Sequence, residues 1–218
     1  MGIVIYSVPV AAYCAKLRIL LNHKGIPFEE RPPPGGYGSD EYRAIVPSGN
    51  LPAMIHDGFQ LADSEAIAEY LEDAFPGVAM LPRDARLRAK AREFSRFHDT
   101  RLEPSVRAMY PQVAHATRDA KAVEAGGAAI SKHLTSLALL LRDDPLDRSQ
   151  LWLSDCGFAV TLPWIKAFED ALDMPVEWPE IVLRYQDRLQ DFDVVANELA
   201  AYRPAMDDYL TKAYPPTD

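Results

Sequence analysis

The sequence predicts a small α/β domain followed by an all-helical domain. Up to Phe75, short strand-like apolar runs alternate with helical patterns. The dipeptide Leu81-Pro82 interrupts this alternation, and the patterns beyond it are helical almost throughout. A chain of 218 residues is long enough for two domains of this size. We therefore place the first domain at 1–80 and the second at 86–218.

The first elements of the α/β domain are a strand, a helix and a second strand. Ile3 to Tyr6 is a continuous apolar run, which is typical of a buried central strand. From about Ala12 to Lys24, apolar residues recur at helical spacing, and Gly25 supplies a stop signal. Phe28 to Arg31 can form the second strand, and a loop rich in proline and glycine follows at 32–36.

A hairpin and a helix complete the α/β domain. Ala53 to His56 and Phe59 to Ala62 are predicted strands, joined by Asp57-Gly58, a common pair in hairpin turns. Apolar and aromatic residues from Ile67 to Phe75 then recur at helical spacing, and Pro76-Gly77 ends that helix. The order β-α-β, then β-β-α, is that of a thioredoxin-like domain, whose parallel crossover is right-handed.

The second domain is predicted to contain five helical stretches. The first is long and arginine-rich, and runs from Asp84 to about Tyr110. Residues 83–107 hold 8 Lys or Arg against 4 Asp or Glu, which indicates either a solvated helix face or the wall of an anion site. The other stretches are 118–142, 154–172, 179–191 and 193–212.

Charge and composition exclude several classes of function. A net charge of −9 argues against nucleic acid as a partner, because phosphate binding requires a basic surface. The apolar stretch before Lys16 is too short to span a bilayer and lacks the basic region of a signal peptide, so we expect no membrane association. Two distant cysteines favour a reducing cytoplasm, and the scattered histidines favour no metal site.

Residues 50–71 carry a specific motif. Asn50-Leu51-Pro52-Ala53 is followed by Ala-Asp-Ser-Glu-Ala-Ile-Ala-Glu-Tyr-Leu at 62–71. This pattern resembles the cytosolic glutathione transferase superfamily, in which Val/Leu-Pro-x-Leu precedes an acidic residue or Gln, then Ser, then an Ile-x-x-Tyr-Leu helix. The resemblance covers the first domain by motif and the helical domain mainly by length and pattern.

The resemblance implies a glutathione site in the first domain. The peptide bond before Pro52 is cis in relatives, and the backbone of Leu51 pairs there with the cysteinyl part of the extended tripeptide. Ser64 falls where we expect the N-cap of the following helix, and it is implied to hold the γ-glutamyl carboxylate. Asp63 is implied to bind the γ-glutamyl amine, and Asn50 to assist the glycyl end.

The residue that activates the thiol is less clearly marked. Family members use one hydroxyl or cysteine near the start of the first helix, but the Ser-type and Cys-type positions are Ala11 and Ala12 here. No class is therefore assignable. Ser7, at the end of the first strand, and Tyr13, in the first helical turn, remain as candidate catalytic residues. Cys14 matches the second cysteine of a redox tetrad, or is a small buried residue.

Each catalytic candidate also has a structural interpretation. The hydroxyl of Ser7 can bond to the backbone at a strand end, and the ring of Tyr13 can pack beneath a ligand. In the helical domain, Val106, Met109 and Tyr110 are candidates for the substrate pocket or for a core face. The segment 153–159 resembles the internal capping motif of the family, so we expect Asp155 to be structural.

Together these features predict a glutathione transferase that activates the thiol for attack on a small hydrophobic electrophile. The resemblance also implies a homodimer, with the helix at 67–74 and the arginine-rich helix near the interface. The alternative is a non-enzymatic module of the same fold that binds a partner or stores a ligand. The missing Ser or Cys favours the module, whereas the Asp63-Ser64 pair argues against it, since folding alone has no evident use for that carboxylate.

Overall fold

A mixed sheet with helices forms the first part of the chain, and helices form the rest, which confirms the predicted fold class. The computed structural model describes residues 2–213. The chain divides into two units, Met1–Leu81 and Pro82–Asp218. Residues 1 and 214–218, at the outer ends of the two predicted domains, lie outside the described residues.

The sheet of the first unit has four strands in the order β2-β1-β3-β4. The central strand β1 runs parallel to β2 and antiparallel to β3, and β3 forms an antiparallel hairpin with β4. At the hairpin turn, Asp57 and Gly58 both have positive φ, of 49° and 85°, as the tight turn between twisted strands requires. The strands are β1 (Ile3–Tyr6), β2 (Phe28–Arg31), β3 (Ala53–His56) and β4 (Phe59–Ala62).

Three helices accompany this sheet: α1 (Ala12–His23), α2 (Asp40–Ile45) and α3 (Ser64–Ala74). Helices α1 and α3 were predicted, whereas α2 was not. The Ser39 hydroxyl caps α2 by accepting a hydrogen bond from the Tyr42 N–H at 3.1 Å. Six residues are too few to show a helical period, so a short helix after a Pro/Gly loop escapes pattern analysis.

The long arginine-rich helix is interrupted, which corrects the prediction for 84–110. A π-turn at His98–Leu102 separates α4 (Ala85–Phe97) from α5 (Glu103–Arg107), and the Glu103 N–H bonds to the His98 carbonyl. The wider turn forms where the buried His98 ring contacts Asp99 at 2.7 Å and Thr161 at 2.8 Å. Such contacts between side chains leave no trace in hydrophobic periodicity, so the sequence pattern indicates one uniform helix.

The remaining predicted helices are present with small shifts at their ends. The helix α7 is the core of the second unit, and Gly157 allows it to approach the His98 ring, since a Cβ there would lie 2.6 Å from a ring carbon. No helix within 2–213 has both the length and the apolar character needed to cross a bilayer. These helices are α6 (Ala120–Arg142), α7 (Leu153–Leu172), α8 (Glu180–Gln190) and α9 (Asp193–Ala213).

Candidate functional site

The register of the sheet brings three candidate residues to one edge. Ala53 pairs with Tyr6 on one side and with Ala62 on the other. The residues just beyond these partners therefore leave the sheet at the same end. They are Ser7, Pro52 and Asp63. Residues that the motif analysis selected from three separate segments thus lie along one edge of the first unit.

The segment before β3 offers free backbone groups at this edge. The Leu51–Pro52 peptide bond is cis, as the resemblance implies. The N–H and C=O of Leu51 have no hydrogen-bond partner among the described residues. A residue of α2 holds this segment in place, because the Tyr42 hydroxyl donates a hydrogen bond to the Asn50 carbonyl at 2.8 Å. The unpredicted helix α2 thereby orients a backbone edge to which an extended peptide can bond.

The start of α3 differs from the prediction, because Asp63 and not Ser64 is the N-cap. One carboxylate oxygen of Asp63 accepts hydrogen bonds from the N–H groups of Glu65 at 2.9 Å and Ala66 at 3.1 Å. Ser64 is the first residue of the helix itself. Asp and Ser are about equally good caps, so adjacent Asp and Ser residues leave the position of the cap ambiguous in sequence.

This correction makes Ser64 available to a ligand. Its residue is buried, yet its hydroxyl has no hydrogen-bond partner within the described part of the chain. The second carboxylate oxygen of Asp63 is likewise unpartnered within 2–213. A hydroxyl beside a helix N-terminus stabilises an anion, and a free carboxylate oxygen attracts an ammonium group. The pair therefore suits a zwitterionic amino-acid end.

Ser7 lies at the end of β1 in a polar cluster. Its N–H donates to the Arg31 carbonyl at 2.9 Å, and its hydroxyl oxygen accepts from Arg18 Nη1 at 3.3 Å. The Ser7 side chain also forms a hydrogen bond with the Cys14 thiol. Burial raises the pKa of that thiol, although its hydrogen bond with Ser7 opposes the shift. A protonated, buried Cys14 fits a structural role better than a nucleophilic one.

The N-terminus of α1 is open. Its N-cap residue is Ala11, which has no side-chain oxygen to bond the first turn, and the Ala12 N–H has no partner among the described residues. Tyr13 is half-buried in this turn, and the Lys16 ammonium lies 5.7 Å from the centre of its ring. An uncapped helix start carries a positive partial charge that can stabilise a thiolate.

The three candidate pocket residues lie in the second unit and are largely covered. Val106 and Met109 are 2% and 3% exposed, so they present little surface to a substrate. The Tyr110 ring packs against Trp164 in a tilted arrangement and against Phe168 edge-on, with 4.7 Å and 5.1 Å between ring centres. Burial raises the pKa of the Tyr110 hydroxyl well above its usual value. This packing agrees with the core-face interpretation, and pocket lining stays a prediction.

Asp155 forms the most extensive polar cluster of the second unit. Its carboxylate accepts from the Trp152 N–H at 3.0 Å, from Arg148 Nη1 at 2.6 Å and from the Tyr185 hydroxyl at 2.5 Å. The capping role was expected, but Arg148 and Tyr185 were not identified as partners. They lie 7 and 30 residues away in sequence, beyond the reach of a capping pattern. Among residues 2–213, no group of three or more His, Cys, Asp or Glu is placed to hold a metal ion.

Known proteins resemble the chain in sequence and in fold. The family model described as glutathione S-transferase, N-terminal domain, matches residues 5–79. A glutathione S-transferase-like protein, FUS3 of Gibberella fujikuroi, is 31% identical over 168 residues, which cover 72% of this chain and 76% of that protein. A probable maleylacetoacetate isomerase of Drosophila melanogaster is 33% identical over 106 residues, or 46% of this chain and 47% of its own length.

The extent of these matches varies among relatives. For four curated relatives, including the Drosophila protein, the matching region spans only 40% to 47% of their own length. Structural likeness extends further. A bacterial maleylpyruvate isomerase of the zeta class, described as a glutathione S-transferase, superposes with a TM-score of 0.75 at 24% identity, covering 92% of this chain and 98% of the other. That likeness concerns the fold.

Proposed function

Because the chain belongs to the cytosolic glutathione transferase superfamily, we propose that it binds glutathione and activates its thiol for attack on a small hydrophobic electrophile. The observation that carries the proposal is the set of unused hydrogen-bonding groups at one sheet edge. Within the described residues these are the backbone groups of Leu51, the hydroxyl of Ser64 and one oxygen of Asp63. Ser64 is buried and Leu51 is half-buried, and polar groups in such places are normally paired, so this cluster suits a polar ligand.

Glutathione fits these groups as an extended peptide. Its cysteinyl N–H and C=O bond to the backbone of Leu51, in the manner of an added strand. Its γ-glutamyl carboxylate bonds to Ser64 at the start of α3, and its γ-glutamyl ammonium bonds to the free oxygen of Asp63. The glycyl end extends toward Asn50, whose side chain is exposed and unpartnered within 2–213.

Thiolate stabilisation is assigned to the start of α1. A free thiol has a pKa of about 8.5, so a reaction at neutral pH requires donors that favour the thiolate. The uncapped N-terminus of α1 supplies a positive partial charge, and either Tyr13 or Ser7 supplies one hydrogen bond. The Ser7 hydroxyl also contacts Arg18 and Cys14, so both residues stay candidates for that hydrogen bond.

The comparisons do not favour the non-enzymatic alternative, because the named relatives include enzymes of two reaction types. Proteins named glutathione S-transferase and proteins named maleylacetoacetate isomerase both match. We therefore propose two substrate classes: a small hydrophobic electrophile such as an activated halide, or, as a polar alternative, a cis-configured unsaturated diketo acid. In the second reaction the thiolate adds to the double bond and leaves again after rotation, so glutathione is regenerated.

Calorimetry followed by turnover measurements tests the proposal. Titration of the purified protein with millimolar reduced glutathione should release heat. Oxidised glutathione, whose two thiols are joined in a disulfide, is not a nucleophile and serves as the control for turnover. Turnover is then measured with 1-chloro-2,4-dinitrobenzene and with maleylacetone. Binding without turnover of any electrophile would favour the non-enzymatic module, and the absence of heat would contradict glutathione binding.

The assembly, location and pocket remain parts of the same proposal. We expect a cytoplasmic homodimer. The family assignment supports the dimer, and the location is supported by Cys14 and Cys156, which are buried and form no disulfide. Sedimentation equilibrium tests the dimer, because the measured mass should then be twice the 24.3 kDa of one chain. For Val106, Met109 and Tyr110, truncation to alanine should raise the KM for the electrophile more than that for glutathione if they line the pocket.

A further inference from the structure

A cavity of about 510 Å³ lies within the second unit, among the helices α7, α8 and α9. Ala196 and Ala200, one turn apart on α9, line it, and their small side chains leave the space between the helices unfilled. It shares no described lining residue with the proposed glutathione site or with the three candidate pocket residues. Sites for small molecules typically have volumes of about 300–1,000 Å³, so this cavity is large enough to hold one.

The charge of the cavity wall is opposite to that of the chain. The chain as a whole carries a net charge of −9. Among the described residues that line the cavity, however, none is Asp or Glu, whereas Lys166 of α7 and Arg203 of α9 are basic. A concave surface lined by charge of one sign concentrates small ions of the opposite sign. The cavity wall therefore favours an anion.

The partners of these two cations within the described residues hold them only weakly. Lys166 Nζ lies 3.3 Å from Glu169 Oε2 and 4.0 Å from the centre of the Trp178 ring, and Arg203 Nε lies 3.8 Å from Asp207 Oδ1. The side chains of Lys166 and Arg203 are 45% and 63% exposed. Exposed ion pairs between residues three or four apart on one helix contribute little to stability. Both cations can therefore turn towards a bound anion at little cost to the fold.

Helix α8 adds hydrogen-bonding groups to the cavity, and the other two helices add apolar surface. The side-chain amides of Gln186 and Gln190 make no hydrogen bond within the described part of the chain, and each carries two N–H donors. Pro163 of α7, together with Leu199 and Met206 of α9, supplies the apolar surface. An apolar lining with a few polar groups that converge on it is typical of sites for small organic molecules.

We propose that this cavity binds a small organic anion, whose charged group bonds to Lys166 and Arg203 and whose apolar part packs between the helices. Charge complementarity selects this occupant, because a neutral apolar molecule would leave both cations and both amides unused, and a cation would be repelled. The cavity lies within the second unit, so the inference goes beyond the proposed function and does not depend on glutathione binding.

The test measures the fluorescence of two probes, 8-anilinonaphthalene-1-sulfonate and N-phenyl-1-naphthylamine, of which only the first carries a charge. In Lys166→Gln/Arg203→Gln, the Kd of the sulfonate should rise about tenfold, while that of the neutral probe should change by less than about twofold. The control, Arg184→Gln/Lys212→Gln, changes the net charge equally at exposed positions of α8 and α9 that do not line the cavity. It should keep the parent Kd for both probes.

A second variant, Ala200→Phe, fills the cavity without changing its charge. Ala200 is exposed, so the variant should fold, as a thermal melt can show, and it should weaken binding of the sulfonate by at least about tenfold.

Three results would overturn the inference. The first is an unchanged Kd for the sulfonate in Lys166→Gln/Arg203→Gln or in Ala200→Phe. The second is an equal loss of affinity in the control variant. The third is displacement of the sulfonate from the parent by S-hexylglutathione, which would place the probe in the glutathione or electrophile site. If the parent gives no heat with glutathione but binds the sulfonate as expected, the proposed function fails alone and this inference stands.

Discussion

Two aspartates that stand at helix starts use their carboxylates differently. Asp155, at the start of α7, is fully buried, and both of its oxygens are occupied by Trp152, Arg148 and Tyr185. Asp63, before α3, is exposed, and within the described chain only one of its oxygens is occupied. Both residues cap a helix, yet of the two only Asp63 keeps a carboxylate oxygen without a hydrogen-bond partner among residues 2–213.

The difference indicates how to separate polar groups that hold a fold from those that bind a ligand. When both oxygens of a buried carboxylate accept hydrogen bonds from the protein, its loss leaves those donors unpaired. A group that retains bonding capacity has a further partner outside the chain or in solvent. By this criterion Asp155 belongs to the core of the second unit, whereas Asp63 and Ser64 fit the proposed glutathione site.

The largest expected effect is on stability, in Asp155→Ala. The substitution leaves the buried Tyr185 hydroxyl without its acceptor and removes one of the carboxylates paired with the half-buried Arg148, which keeps Asp144, so the free energy of unfolding should fall by about 3–5 kcal/mol. Urea unfolding followed by circular dichroism measures the loss. Asp187→Ala, at an exposed position on α8, is the matched control and should change stability by less than about 0.5 kcal/mol. A similar loss of stability in both variants would contradict the distinction between carboxylates that are hydrogen-bonded within the fold and carboxylates that are exposed.

Ser64→Ala should affect binding and leave stability nearly unchanged. The hydroxyl makes no hydrogen bond within 2–213, so its loss leaves no internal partner unpaired. A hydrogen bond to a charged carboxylate is worth about 1.5–3 kcal/mol, so the Kd for glutathione should rise about 10- to 100-fold. Titration calorimetry and urea unfolding of the same variant give the two values. A large loss of stability with unchanged affinity would place Ser64 with the structural group.

Tyr13→Phe and Ser7→Ala distinguish the two donors at the thiol. Tyr13→Phe should lower kcat by about tenfold, less than the loss of an oxyanion donor, since sulfur accepts weaker hydrogen bonds. Ser7→Ala should mainly lower stability, because its hydroxyl already bonds to Arg18 and Cys14. Steady-state turnover with excess glutathione makes the comparison. If turnover falls in neither variant, neither residue activates the thiol.

Asp63→Asn and Asp63→Ala separate capping from binding in one residue. Asn caps a helix about as well as Asp, so the first variant should keep the stability of the parent but bind the γ-glutamyl ammonium more weakly. The second should in addition lose about 1 kcal/mol of stability. Parallel calorimetry and thermal melts provide the data. Equal stabilities of the two variants would show that the bonds to Glu65 and Ala66 contribute nothing to the helix.

The smallest effect concerns Cys14 at alkaline pH. Burial raises the pKa of this thiol above its ordinary 9.0, so the unfolded chain releases the proton at lower pH than the folded chain. The contribution to stability is complete below pH 9.0 and is lost as pH rises through the folded value. Between pH 7 and 10, the parent should therefore lose more stability than Cys14→Ala, by at most about 1.4 kcal/mol per pH unit. An equal loss in both would mean that the thiol is not buried as described.

Local patterns predicted those parts of the molecule that local interactions form. The strand β1, the Asp57-Gly58 hairpin and helix α3 each carry their signal within a few neighbouring residues. Helix α2 and the π-turn depend on single side chains, Ser39 and His98, whose partners a periodic pattern does not show. Those features become visible only when the chain is folded.

The arrangement of residues in the candidate site was predictable to a similar degree. The motif at 50–71 selected residues that lie along one sheet edge, because the hairpin register follows from the turn. The division of roles between Asp63 and Ser64 depended on which side chain reaches the free N–H groups, and their sequence neighbourhood does not decide that.

The π-turn at His98–Leu102 also sets how far the residues of α5 are rotated about the helix axis relative to those of α4. It accommodates one residue beyond a regular turn, and one residue corresponds to a rotation of about 100° in an α-helix. Deletion of a single codon there would turn the wide turn into a regular α-helical turn, so the later residues would keep their places. The same deletion inside α5, before Val106, has no wide turn of its own to absorb it, and Arg107 would then take the buried place of Val106 and Met109 the exposed place of Ala108. The π-turn is therefore the place in this stretch where the chain best tolerates a change of length.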